Sequence, residues 1–208
     1  GIQPVKVDKE LFDLTERALF FSEITNGAFD ISIVAMDNIW KFDGSMELLP
    51  SNETLAKAVL KVGYQNIELN EEASTVFLKL KGMKIGFGAT GKGYAADKGR
   101  QLMQQANIKA GIVNASGDMT TWGIQPSNEP WRIGVTNPFK KRKSLKIIEV
   151  ATAAITTSGN YQKYAELNNI RYSHIINPKT GMPTSGLVSA TVIGEIAEKA
   201  NGFSTSIM

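Results

Sequence analysis

The sequence predicts an α+β fold, with mixed or antiparallel sheets and packed helices in a single domain. Three observations lead there. Several stretches carry apolar residues at helical spacing. Short apolar runs between them are bounded by Gly, Asn and Pro. These runs meander, interrupted by the helices, which favours antiparallel pairing.

The elements follow in order. Residues 8–24 form an amphipathic helix, with Leu11, Leu14, Ala18, Phe21 and Ile24 as its stripe and Thr25-Asn26-Gly27 as its end. A second helix spans 52–62, capped by Ser51 and stopped by Gly63, with Leu55, Ala58, Val59 and Val62 apolar. Strands are predicted at 65–69, 74–80 and 83–87, separated by Asn70-Glu71-Glu72 and Lys81-Gly82. A third helix runs from Gly91 to about Ala106. Strands come next near 110–115, 131–136 and 146–152, then a helical turn from Tyr161 to Glu166. Strands near 170–176 and 187–194 precede a last helix from about Ile196.

Composition bounds the function. With 208 residues, 42% apolar and 21% charged, the chain can bury a core without staples. It has no cysteine, which excludes thiol catalysis, zinc–thiolate sites and disulfides. No run approaches the ~20 apolar residues of a membrane span. The start, GIQPVKVDKE, has no signal-peptide pattern and is expected to be cut from a longer chain. The end, NGFSTSIM, is expected to stop inside a helix. The formal charge is +3, and basic residues cluster only at Lys140, Lys141, Arg142 and Lys143. That cluster follows Asn137-Pro138 and reads as a solvated loop; without an aromatic ladder, nucleic-acid binding is not expected.

The segment from Lys84 to Tyr94, KIGFGATGKGY, leads from a predicted strand into a helix. Gly86, Gly88 and Gly91 spell the dinucleotide pattern G-x-G-x-x-G; Gly86, Gly91 and Lys92 spell most of a P-loop. Both patterns place small residues and a helix N-terminus beside an anion. The P-loop needs Ser or Thr after the lysine, and Gly93 stands there. The dinucleotide pattern needs an acid about 20 residues on; position 111 is glycine and the nearest acid downstream is Asp118. A tight strand-to-helix turn without a ligand remains open on these residues alone.

Other polar clusters stand out. Gly27-Ala28-Phe29-Asp30 is either a turn capped by Asp30 or part of a site. Asn114-Ala115-Ser116-Gly117-Asp118 is a turn or a site, and Thr156 to Tyr161, TTSGNY, is a helix-capping segment or a site. His174, the single histidine, lies in YSHIINPKTG. One histidine and no cysteine make a classical zinc site improbable. No G-x-S-x-G elbow is present.

Taken in order, GAFD, IGFGATGKGYAADKG, IVNASGD, PWRIGV, TTSGNY, YSHIINPKTGMP, SATVIG and ANGFSTSIM resemble the successive motifs of the ApbE-type FAD:protein FMN transferases. The resemblance runs from about Pro4 to Met208 and implies an ApbE-like, T-fold-like α+β architecture. It implies a flavoprotein transferase. FAD binds with magnesium, a Thr or Ser hydroxyl of a target protein attacks the FMN-side phosphorus, AMP leaves, and FMN stays on the target. Targets in the family are typically subunits of membrane redox complexes. Members are usually exported to the bacterial envelope or periplasm and often lipid-anchored, as lipoproteins.

By motif position, Ala28, Phe29, Asp30, Gly86, Lys92 and Ile176 are expected to contact FAD. The Ala89 carbonyl, Asn201 and Thr205 are expected to hold the metal, since hard oxygens suit magnesium. His174 is the expected base. Its spacing from Ile176 would put both side chains on one face of a strand. A histidine with an unperturbed pKa of ~6.5 can accept a proton near pH 7. A stacking or structural His174, with Asp30 or Asp118 as base, stays open.

The sequence departs from the family at Asn201, where aspartate is usual, at Gly86, often aspartate, and at Ser116, usually glycine. Ser204 also stands where some members carry a carboxylate. These departures keep a non-catalytic FAD-binding protein, or an FAD pyrophosphatase on the same fold, as the alternative. A nicotinamide-dependent oxidoreductase is a further rival, read from the glycine pattern.

Overall fold

The computed structural model describes residues 1–140, 143–161 and 163–208. Its elements in chain order are β1 (Val5–Lys6), α1 (Lys9–Ile24), a 3-10 segment (Ile31–Met36), α2 (Asn52–Val59), a short 3-10 turn (Tyr64–Asn66), β2 (Ile67–Asn70), β3 (Thr75–Leu78) and α3 (Gly91–Gln105). Then follow β4 (Gly111–Ala115), β5 (Asp118–Trp122), β6 (Trp131–Thr136), β7 (Ser144–Val150), β8 (Ala153–Gly159), β9 (Tyr164–Leu167), β10 (Ile170–Ser173), β11 (Ser189–Gly194) and α4 (Ala197–Ile207). Among the described residues every strand pairing is antiparallel. None of the described helices is long and apolar enough to cross a membrane. Two compact units divide the chain: Gly1–Phe87 with Gln162–Gly186, and Gly88–Tyr161 with Leu187–Met208.

In the first unit, Asp8 caps α1 by accepting a hydrogen bond from the Leu11 amide at 2.8 Å. The buried face of α1 carries Phe12, Leu14, Thr15, Ala18 and Phe21. The predicted stripe is therefore rotated, and Ile24 lies at the exposed end. Strands β1, β3 and β2 form one sheet in that order. A separate core gathers Met36, Trp40, Leu55 and Ala58, with Tyr172 and Ile176 packed against it. The Trp40 indole donates to the Gly181 carbonyl at 2.8 Å. Gly181 has φ +70°, a left-handed backbone that favours glycine.

Some expectations fail in this unit. Residues 83–87 form no strand. The Gly86 amide donates to the Ile31 carbonyl at 2.9 Å, so the segment lies along the 3-10 segment and joins no ladder. The strand-to-helix turn that a dinucleotide fingerprint needs is thus not formed. The predicted helical turn from Tyr161 to Glu166 is also replaced, by the β9–β10 hairpin; Gln162 lies outside the described residues. Asn168 and Asn169 both have positive φ, 52° and 61°, which makes a two-residue turn suited to strand twist.

In the second unit, the sheet order is β11-β8-β5-β4, and β6 and β7 form a two-stranded ribbon. The sequence reading joined 146–152 as one strand; the structure ends β7 at Val150 and opens β8 at Ala153. Strand β8 carries no alternation, because Ala153, Ala154, Ile155 and Thr156 are all buried. Strand β5 hid behind the turn at Ser116-Gly117. The loop holding the basic cluster connects β6 to β7, but Lys141 and Arg142 lie outside the described residues.

Helices α3 and α4 meet through small residues. Ala96, Ala197 and Ala154 of β8 form a core cluster. Asp97 of α3 caps α4: its carboxylate accepts the Ala197 amide at 3.1 Å and the Glu198 amide at 2.9 Å. This substitutes for Ile196, which stands at the N-cap and has no side chain able to do it.

Candidate functional site

The glycine loop delivers Ala89 and Thr90 to the start of α3 in the second unit. Thr90 is the N-cap, but its side chain makes no capping hydrogen bond. Its Oγ1 is buried and has no hydrogen-bond partner among the described residues. The first turn of α3 contains no acidic residue of its own to offset the positive helix end.

Lys92 stands in that first turn. Its Nζ lies 2.6 Å from Asp118 Oδ2; the lysine side chain is 41% exposed and the carboxylate 0%. Asp118 Oδ1 also accepts the Thr157 amide at 3.3 Å. The turn before Asp118 explains how it gets there. Ser116 (φ 55°) and Gly117 (φ 97°) both occupy left-handed backbone, as a two-residue hairpin demands. The Gly117 amide donates to Asn114 Oδ1 at 2.7 Å, and Ala115 pairs with Asp118 as β5 begins.

Helix α4 supplies the other oxygens. Asn201 is 1% exposed, and its Oδ1 has no hydrogen-bond partner among the described residues. A buried amide oxygen without a donor is costly unless something else meets it. Thr205 Oγ1 donates to the Asn201 carbonyl at 3.0 Å and lies 3.1 Å from Ser158 Oγ. Ser158 Oγ also lies 2.9 Å from Ser204 Oγ, which donates to the same Asn201 carbonyl at 3.0 Å. The Ser158 hydroxyl in TTSGNY thus steadies Thr205 from a strand and caps no helix. Asn201 Oδ1 and the Thr205 hydroxyl, one turn apart on α4, are hard oxygen donors of the kind a magnesium ion takes.

The remaining predicted residues belong to the first unit. Ala28 is exposed. Phe29 is 2% exposed and packs edge-on to Phe21 at 6.1 Å, so its ring is part of the core. Asp30 Oδ1 accepts the Ser32 amide and hydroxyl at 2.8 and 2.6 Å. Its Oδ2 accepts the Tyr64 amide at 2.8 Å. Both oxygens are thus engaged in joining the 3-10 segment to the Gly63–Tyr64 turn. At Gly86 a Cβ would lie 2.6 Å from Val34 Cγ2, which gives a packing reason for glycine where the family often has aspartate.

Strand β10 ends at Ser173, so His174 and Ile176 do not share a strand face as expected. Ile176 bridges instead to Pro183. His174 Nδ1 lies 2.9 Å from the Lys163 carbonyl oxygen. That oxygen can only accept, so Nδ1 carries a proton toward it. The imidazole also meets Phe42 edge-on at 6.4 Å.

The ApbE family profile matches residues 1–208. The chain belongs to the ApbE family. Among curated relatives, the ApbE chain is 32% identical over 214 residues to the FAD:protein FMN transferase of Salmonella typhimurium, covering 100% of the chain and 61% of the relative. It is 30% identical over 214 residues to the enzyme of that name from Escherichia coli K12, with the same coverage, 100% and 61%. The chain thus spans about three-fifths of the length of these relatives. A crystal structure of an ApbE protein from Thermotoga maritima superposes with a TM-score of 0.91 at 36% identity, over 99% of this chain and 67% of that one. The flavin transferase ApbE from Vibrio cholerae gives 0.87 at 27% identity, over 100% and 67%. These likenesses establish the α+β architecture of the ApbE fold for this chain.

Proposed function

We propose that the chain carries the FAD-handling part of an FAD:protein FMN transferase that moves FMN onto a Thr or Ser hydroxyl and releases AMP. The observation that carries this reading is the family match over residues 1–208, with relatives that bear the transferase name. In the reaction, the acceptor hydroxyl oxygen attacks the FMN-side phosphorus. The bond from that phosphorus to the bridging oxygen breaks, and AMP leaves with that oxygen. FMN remains joined to the acceptor as a phosphoester.

The residues divide the work by their chemistry. His174 Nε2 takes the hydroxyl proton, with the Lys163 carbonyl holding the tautomer. Lys92 and the amides at the start of α3 face the pyrophosphate charge. Ala89, Asn201 and Thr205 would hold a magnesium ion, which when bound offsets charge on the diphosphate. Ala28, Phe29 and Asp30 shape the flavin side through backbone, since the Phe29 and Asp30 side chains are committed to the fold. Gly86 and Ile176 complete the FAD contacts. The proposed setting is the bacterial envelope or periplasm, in a lipid-anchored protein, with a membrane redox subunit as acceptor.

A second reading, a non-catalytic FAD-binding protein, is favoured by Asn201. A neutral amide gives less attraction for a cation than a carboxylate. An FAD pyrophosphatase would also make AMP. One assay separates the three: FAD, magnesium and an acceptor peptide with a Thr or Ser, followed by gel fluorescence and AMP detection. A fluorescent acceptor with AMP supports the transferase. AMP alone supports the pyrophosphatase. FAD binding with neither product would overturn both enzymatic readings.

A further inference from the structure

Lys92 with its four-carbon stem would sample many rotamers at the mouth of α3 if nothing held it. It is held. Its Nζ is 2.6 Å from Asp118 Oδ2, and no other partner reaches that oxygen among the described residues. The carboxylate is fully buried and cannot follow the lysine into solvent. Its backbone is set by the Ser116-Gly117 turn and its pairing with Ala115, and its second oxygen by the Thr157 amide. Asp118 is therefore the rigid member of the pair and Lys92 the movable one.

A buried carboxylate would be left uncompensated if Lys92 swung away, so the pairing resists departure. An ammonium carries three donors, more than a single carboxylate oxygen takes, so pairing with Asp118 leaves capacity for a ligand. With Lys92 read as the cation that faces the FAD pyrophosphate, we infer that Asp118 is a positioning residue for Lys92. It fixes where the ammonium stands and takes no proton itself. The cost of that arrangement is attraction: a neutralised lysine draws a diphosphate less than a free one does. Loss of the Asp118 charge should then leave FAD binding intact or tighter while the ammonium loses its place. A residue that merely supported the fold would weaken both.

The test compares the full-length protein with Asp118→Asn, Lys92→Met and the double variant, which removes both charges and so avoids a lone buried carboxylate. Melting curves of all four check the fold. The first readout needs no turnover: acylation of lysines by a small amine reagent, followed by peptide mass spectrometry. Asp118→Asn is expected to raise labelling of Lys92 at least about threefold, as an ion-paired amine is released, with Lys109 unchanged. The second readout is a split. Asp118→Asn should keep FAD affinity within about threefold yet slow AMP release at saturating FAD by about tenfold or more, since small misplacements are costly in rate. Added to Lys92→Met, it should slow release by no more than about twofold further.

Unchanged Lys92 labelling in Asp118→Asn overturns the positioning role. So does an equal loss of AMP release with and without Lys92. The reading of Lys92 itself is judged separately, by FAD protection. If FAD does not shield Lys92 from the reagent in the unchanged protein, Lys92 leaves the FAD site and the inference falls with it. If FAD shields Lys92 but Asp118→Asn changes nothing, only the inference falls.

Discussion

A methyl group on Gly93 would lie 2.3 Å from the carbonyl oxygen of Ala197. The first turn of α3 therefore touches the first turn of α4 backbone to backbone. This is the physical reason why a glycine follows Lys92 where a P-loop would have Ser or Thr. Backbone cannot rotate aside as a side chain can, so Gly93→Ala must push the helices apart. We expect a loss of about 1–3 kcal/mol or more in stability, as for other overpacked sites. Urea unfolding monitored by tryptophan fluorescence checks it, and an unchanged midpoint would contradict the close approach.

Asp97 accepts both the Ala197 and the Glu198 amides and so fixes the start of the helix that carries Asn201 and Thr205. Arg100 lies 3.7 Å from the same carboxylate. Asp97→Ala should cost about 0.5–2 kcal/mol, the usual range for losing a cap. Serine at 97 is too short to span from α3 and should not restore it, whereas Asn should in part. Thermal melts of the three variants give the order directly.

Asn201 Oδ1 is buried without a donor, in the helix that also carries Thr205. A carboxylate at this place would add charge to the donor set. Asn201→Asp should therefore bind magnesium more tightly in the presence of FAD, with little binding to either protein without it. Calorimetry measures both. Equal magnesium affinity before and after the substitution would remove Asn201 from the metal site.

With Nδ1 donating to the Lys163 carbonyl, the nitrogen proposed to take the acceptor proton is His174 Nε2. If that nitrogen takes the acceptor proton, His174→Ala should keep FAD affinity within a few fold and lower FMN transfer by ~100-fold or more. Flavin fluorescence on the acceptor after gel separation, beside an FAD titration, tells the outcomes apart. Parallel losses in binding and transfer would make the imidazole a ligand contact instead.

Ser116 holds φ 55° in a turn where the next residue is also left-handed. Such backbone costs a side-chain-bearing residue about 1–2 kcal/mol relative to glycine, partly offset by glycine's larger unfolded freedom. Ser116→Gly should raise stability by about 0.5–1 kcal/mol while leaving FAD affinity as it is. A lower melting temperature would mean that the serine makes a contact worth more than the strain.

By itself the sequence determined the family and the α+β class. The reason is that motif order, helical periodicity and turn residues are local signals, and α1, α2, α3 and α4 follow from them to within a few residues. What stayed hidden depended on neighbours far along the chain. Residues 83–87 look like a strand, yet their hydrogen bond goes to Ile31. Strand β8 has no alternation because it is buried between β5 and β11. Asp30 reads as a candidate ligand or base, and only the fold shows that its oxygens accept from Ser32 and Tyr64. The sequence offered Asp118 as a distant acid after a glycine turn and as an alternative base, with nothing to name its partner. Folding set it against Lys92, because a hairpin turn and a helix start, 26 residues apart in sequence, meet at 2.6 Å in space. Ion pairing and packing of this kind act through space, and only the tertiary structure decided them.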